Sequence, residues 1–159
     1  MPISKKLLVA SVVTLGIASS VFAASHASKE AQAAVKARQA HMQLYAFNLG
    51  ALGAMAKGNV DYDAEAASAA ASNLAALAKL NQMAYWVPGS DSETVEGSRS
   101  LASMWDNIPD AIAKGQALSD AADAMVAAAG TDLAALQGAM GAVGGACGAC
   151  HKAYRGPAS

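Results

Sequence analysis

The stretch from Thr131 to Arg155 reads TDLAALQGAMGAVGGACGACHKAYR. Leu133, Leu136, Met140, Val143, Cys147, Cys150 and Tyr154 recur at steps of three and four, which is the spacing of one face of a single helix. Thr131 is suited to cap its start, with Asp132 in the first turn, and Gly156-Pro157 ends it. The face closes on Cys147-Gly148-Ala149-Cys150-His151, a C-x-x-C-H spacing. Two thiols three positions apart can each form a thioether to a vinyl group of haem, and the adjacent imidazole can reach the iron.

Other chemistries of paired cysteines fit less well. A thioredoxin-like dithiol sits at a helix start that follows a strand in a βαβ setting, whereas these thiols lie near the end of an alanine-rich, helical chain. A structural zinc site takes about four ligands, and the chain holds no second cysteine pair. An uninvolved disulfide is the remaining reading. Gly138, Gly141, Gly144, Gly145 and Gly148 are each unfavourable in a helix by roughly 1 kcal/mol against alanine. Two compatible reasons present themselves: a segment that is loose until haem arrives, and clearance for a flat porphyrin against a helix without Cβ atoms.

Upstream, alanine dominates and β-branched residues are scattered, which favours helix. A first helix is predicted from Ser28, its N-cap, to Lys57, with Val35, Arg38, Met42, Tyr45, Leu49, Leu52 and Ala56 as its stripe. Arg38 is the exception on that apolar stripe and calls for an anion in or beside the bundle. A second helix is predicted from Asp63 to Tyr85, with Ala66, Ala70, Leu74, Leu77 and Leu80 inward, and Val87-Pro88-Gly89-Ser90 stopping it. A third runs from Ser98 to Ala128, with Leu101, Met104, Trp105, Ile108, Ile112, Leu118, Ala122 and Met125 inward. Pro109 must kink it or restart it, because proline lacks an N–H and clashes with the preceding turn. Helices of this length joined by short links imply an all-α fold, an antiparallel four-helix bundle with covalently bound haem.

Lys5 and Lys6, the apolar run from Leu7 to Ile17, and Val21-Phe22-Ala23 have the order of a secretory signal. The expected organisation is therefore a signal peptide over 1–23 and one haem-binding domain over 24–159. Export to the periplasm agrees with covalent haem attachment and with an oxidising compartment. Without the two leader lysines, nine basic residues face twelve acidic ones, a net charge of about −3. Nothing in this resembles a basic nucleic-acid surface, and no second hydrophobic span is expected to insert stably into a membrane.

With these pieces in place the chain resembles the cytochrome c′ family, whose haem motif lies near the end of the fourth helix. The resemblance covers about residues 28 to 156. It is carried by Arg38-Gln39-Ala40-His41-Met42, by Trp105, and by Cys147-Gly148-Ala149-Cys150-His151 with Tyr154-Arg155. It implies one covalently attached haem c per chain, with thioethers at Cys147 and Cys150 and His151 as proximal ligand. It also implies that Arg38 approaches a haem propionate and that Met42 is presented on the distal side. Most members are high-spin and five-coordinate and bind nitric oxide or carbon monoxide; a low-spin branch, typified by cytochromes c-556 and c-554, uses a methionine as sixth ligand.

The expected function is a periplasmic one-electron carrier, low-spin, with His151 and Met42 as axial ligands and a periplasmic redox protein as partner. A thioether favours ferrous iron, and six-coordination in both states keeps reorganisation small. Core filling is the alternative use of Met42. The alternative function is a five-coordinate protein that takes a small diatomic gas on an apolar distal face. A haem enzyme such as a peroxidase is a further alternative; it needs a distal acid–base group, and its one candidate, His41, points aside from Met42 in a helix. Small-residue surfaces on the first two helices permit a homodimer.

Overall fold

The computed structural model describes residues 27–157; the leader reading and His26 lie outside them. Ser28 opens α1 (Lys29–Ala56): its hydroxyl accepts the Ala31 N–H at 3.0 Å, the cap read from sequence. The helix ends where Gly58 takes φ +70°, a left-handed position that glycine enters without Cβ strain. Asp63 caps α2 (Ala64–Lys79) in the same way, its Oδ1 accepting the Ala66 N–H at 2.9 Å.

α2 is shorter than its pattern. Leu80 is extended, the Asn81 side chain accepts the Met83 N–H at 3.1 Å, and Met83–Tyr85 forms one 3₁₀ turn. An asparagine that bonds nearby backbone offers the chain an alternative to helix. The predicted third helix is two pieces, a single turn α3 (Ser103–Asp106) and α4 (Ile108–Ala129), separated by Asn107 at φ −138° and ψ 49°. Pro109 restarts rather than kinks: it sits in the first turn of α4, where its missing N–H has no partner to lose. The new start changes the helical phase. Ile112, inward by the continuous pattern, is 57% exposed.

α5 (Leu133–Tyr154) is capped by Asp132, whose Oδ1 accepts the Ala135 N–H at 2.7 Å, one residue later than Thr131. Gly130 lies close against α2, where a Cβ would force the Ser68 hydroxyl to turn aside. The helices pack in a ring, α1 on α2, α2 on α4, α4 on α5 and α5 on α1, which is the expected four-helix bundle. Its centre is made of Leu52, Leu74, Met125, Leu136 and Val143 with Ala67, Ala71, Ala122 and Ala129 among them. By length and composition alone α5 could cross a membrane; here it is the fourth member of the bundle.

Tyr154 ties the end of α5 to α4 through a short hydrogen bond donated to Asp110 Oδ2. The bond pushes the Tyr154 phenol up to about 12, and holds the Asp110 carboxyl below its usual range. Both shifts favour the folded state between the ordinary values of about 4 and 10. The phenol's contribution is lost as pH rises from about 10 through 12, and the carboxyl's as pH falls below about 4. Tyr154→Phe should therefore melt below the unaltered chain at pH 7, with the gap closing as pH approaches 12. A gap that persists unchanged into that alkaline range would refute the assignment.

Candidate functional site

The last two turns of α5 carry Cys147, Cys150 and His151, all half-buried, with both thiols free. Burial pushes both thiols up, so they are held protonated rather than as reactive thiolates. Burial also lowers His151, and the nearby Arg155 and Arg99 guanidiniums lower it further. All three effects favour the neutral imidazole, the form that binds a metal.

α1 supplies the residues facing this end. Its buried ridge is Arg38, His41, Tyr45, Asn48, Leu52 and Met55. Tyr45 lies close enough for the Cys147 sulfur to affect its phenol, and accepts a hydrogen bond from Gln82 Nε2 at 3.2 Å. Met42 stands at the margin of the ridge and is 37% exposed. His41 turns to the α2 side, its ring 4.6 Å from Tyr45 and 5.9 Å from Tyr85. Burial lowers its basicity, a bond to the Leu77 backbone partly offsets this, and its Nε2 has no partner among the described residues. Its direction withholds it from the peroxidase role.

Arg38 is only 5% exposed. Nη1 donates to the Tyr85 carbonyl at 2.6 Å and the Ser90 hydroxyl at 2.7 Å; Nη2 donates to the Ser90 carbonyl at 2.6 Å and the Ser98 hydroxyl at 3.2 Å. The guanidinium lies 4.6 Å over the Trp86 ring. Burial lowers its pKa, while the negative Asp91 raises it through space. The anion sought from sequence is thus present as a neighbour, and neutral oxygens take the N–H groups. These partners lie 47 to 60 residues away, and only the serine-rich character of the segment 90–100 hinted at them.

The thiol-bearing side of α5 suits a flat apolar group. The helix is largely apolar, yet only Leu136, Val143 and Tyr154 are buried, so the rest of its apolar surface needs a cover. A porphyrin supplies such a cover, and two thiols and a neutral imidazole at this spacing supply its attachments. The clearance reading of the glycines narrows. At 3.6 residues per turn, Gly138, Gly141 and Gly145 turn away from Leu136, Val143 and Tyr154, and a Cβ at any of the five would meet nothing within 4 Å. Gly148 also points well aside from both thiols, and only Gly144 flanks their side.

Comparison with known proteins agrees on one family. The sequence model of the family described as Cytochrome C′ matches residues 33–155. Cytochrome c-554 of Cereibacter sphaeroides is 43% identical over 128 residues, covering 80% of this chain and 96% of that protein. Among solved structures, cytochrome c′ from Rhodobacter sphaeroides superposes with a TM-score of 0.78 at 38% identity, covering 80% of this chain and 98% of that one. A nitric oxide complex of a cytochrome c′ variant from Alcaligenes xylosoxidans gives a TM-score of 0.72 at 32% identity, covering 82% and 99%.

These matches correct the expected low-spin carrier with His151 and Met42 as paired axial ligands. The solved relatives are cytochromes c′, and one holds nitric oxide, which requires iron to offer the gas a coordination position. The physical reason is that a bound gas takes the position a sixth protein ligand would fill; on α1, Met42 stands at the margin of the ridge formed by His41 and Tyr45.

Proposed function

The chain belongs to the cytochrome c′ family, electron carriers rather than enzymes that hold one covalently bound c-type haem per chain, and on that premise we propose a high-spin, five-coordinate haem protein that binds a neutral diatomic gas. When bound, the haem supplies one-electron exchange and an open iron position. Cys147 and Cys150 hold it covalently, and His151 is its proximal ligand. Burial, and then the Arg155 and Arg99 guanidiniums, favour the neutral form of that imidazole, and Arg155, one turn beyond it, flanks the proximal side. Met42 lines the distal side without ligating, and its apolar thioether offers little to water or anions. Arg38, one turn before Met42, places positive charge near the haem carboxylates.

The observation that carries this reading is the likeness to solved cytochromes c′, one of them a nitric oxide complex, in a chain that carries Cys147, Cys150 and His151 together at the end of α5. We assign residues 1–23 to an export signal, 24–159 to the haem-binding domain, and the protein to the periplasm, where a redox protein is its electron partner. We assign a homodimer contact to the α1–α2 face, supported by Leu44 at 51% and Phe47 at 76% exposure.

One sample tests the proposal. Ferric holoprotein at neutral pH should show a high-spin spectrum, and the ferrous form should bind carbon monoxide readily. A six-coordinate low-spin spectrum in both states, with slow or absent carbon monoxide binding, would reject it. The same sample should sediment as a dimer; a monomer would remove the α1–α2 contact.

A further inference from the structure

One segment, residues 85–101, touches both walls of the site. On α1 it is pinned by Arg38, which takes Tyr85, Ser90 and Ser98. Gln39 Nε2 adds a bond to the Gly97 carbonyl at 2.9 Å, and Val95 packs on Ala31 and Val35. At its far end the segment pairs with the chain just after His151. Ser100 forms an antiparallel bridge with Arg155, the Leu101 N–H donates to the Tyr154 carbonyl at 2.9 Å, and the Gly156 N–H donates to the Arg99 carbonyl at 2.7 Å. The Arg99 guanidinium returns the contact, donating to the Gly156 carbonyl at 2.8 and 3.1 Å.

The two attachments fall at telling places. The first is four residues before Met42 and the second begins three residues after His151. We propose that segment 85–101 is a strap that sets the separation of α1 from the end of α5. Arg38 and Arg99 are then positioning residues that limit the size of the distal ligand. The buried Arg38 guanidinium, with both terminal nitrogens engaged, resists displacement, because releasing it leaves charge and carbonyls unpaired. The strap is too short and too well bonded at both ends to lengthen without breaking one attachment. Small diatomics enter beside Met42; a ring does not, unless the strap gives.

Imidazole is the probe, titrated into ferric holoprotein and followed by absorbance. Arg38→Lys and Arg99→Lys keep the charge but lose the planar fork. Leu101→Pro deletes the N–H that bonds Tyr154. Each should bind imidazole about tenfold more tightly than the unaltered chain, the scale of coupling through a packed network. Lys36→Ala, exposed on α1, should leave the affinity unchanged. Amide exchange at Gly156 should quicken in Arg99→Lys and Leu101→Pro. Imidazole affinity within about twofold of the unaltered chain in Leu101→Pro and Arg99→Lys overturns the strap as a size limit. If one of these variants does not load haem, the other decides. The inference rests on the five-coordinate reading, yet the two fail separately. The unaltered spectrum judges the coordination, and the imidazole titration judges the distal gap whichever way that spectrum falls.

Discussion

Protein carrying both Cys147→Ala and Cys150→Ala will lose its pigment to acidic acetone, while the unaltered chain, matured in a competent host, keeps it. The two thiols are half-buried at the end of α5, and burial pushes both up. Without them only the His151 bond and apolar contact would retain haem, and organic acid breaks both. The loss should also reach stability. A group that binds only the folded chain stabilises it by mass action, and α5 has just three buried residues of its own. The doubly substituted chain should therefore unfold at a clearly lower temperature even before extraction. Pigment that survives extraction from the double variant would show that attachment lies elsewhere.

Leu52→Ala should cost about 2–5 kcal/mol, because it removes a fully buried side chain and leaves a cavity. Phe47→Ala, on the same helix, should change the stability of the isolated protomer by about 0.5 kcal/mol or less, since its ring is 76% exposed. Both are larger hydrophobes on α1, and composition does not separate them. Urea unfolding of the holoproteins does, at a dilution where protomers are apart. The contrast matters because a domain is stable by only about 5–15 kcal/mol, and much of this core is alanine. Few large side chains hold it, so each counts for more. Equal losses from the two substitutions would place the core on the wrong face of α1.

What local rules govern was legible from the residues alone. The cap at Ser28 depends on a side chain and an N–H three positions on. The three-and-four stripe of α5 and the C-x-x-C-H spacing likewise involve only neighbours along one helix. These sufficed for the four-helix bundle, the thiol pair and the family. Where two local signals competed, pattern reading erred. Asn81 ended α2 early, and Pro109 opened a helix whose phase then turned Ile112 outward.

Tertiary structure decided everything that joins distant stretches. Arg38 looked like a charge in search of an anion, and its partners came from a serine-rich segment 47 to 60 residues away. Met42 had the spacing of a ligand, but ligation depends on the last few ångströms between two helices, and periodicity carries no such distance. The likeness to solved cytochromes c′, one of them a nitric oxide complex, tells against the low-spin pairing. Spacing along a helix fixes the angle at which a side chain leaves the axis; only packing between helices fixes how far it must reach.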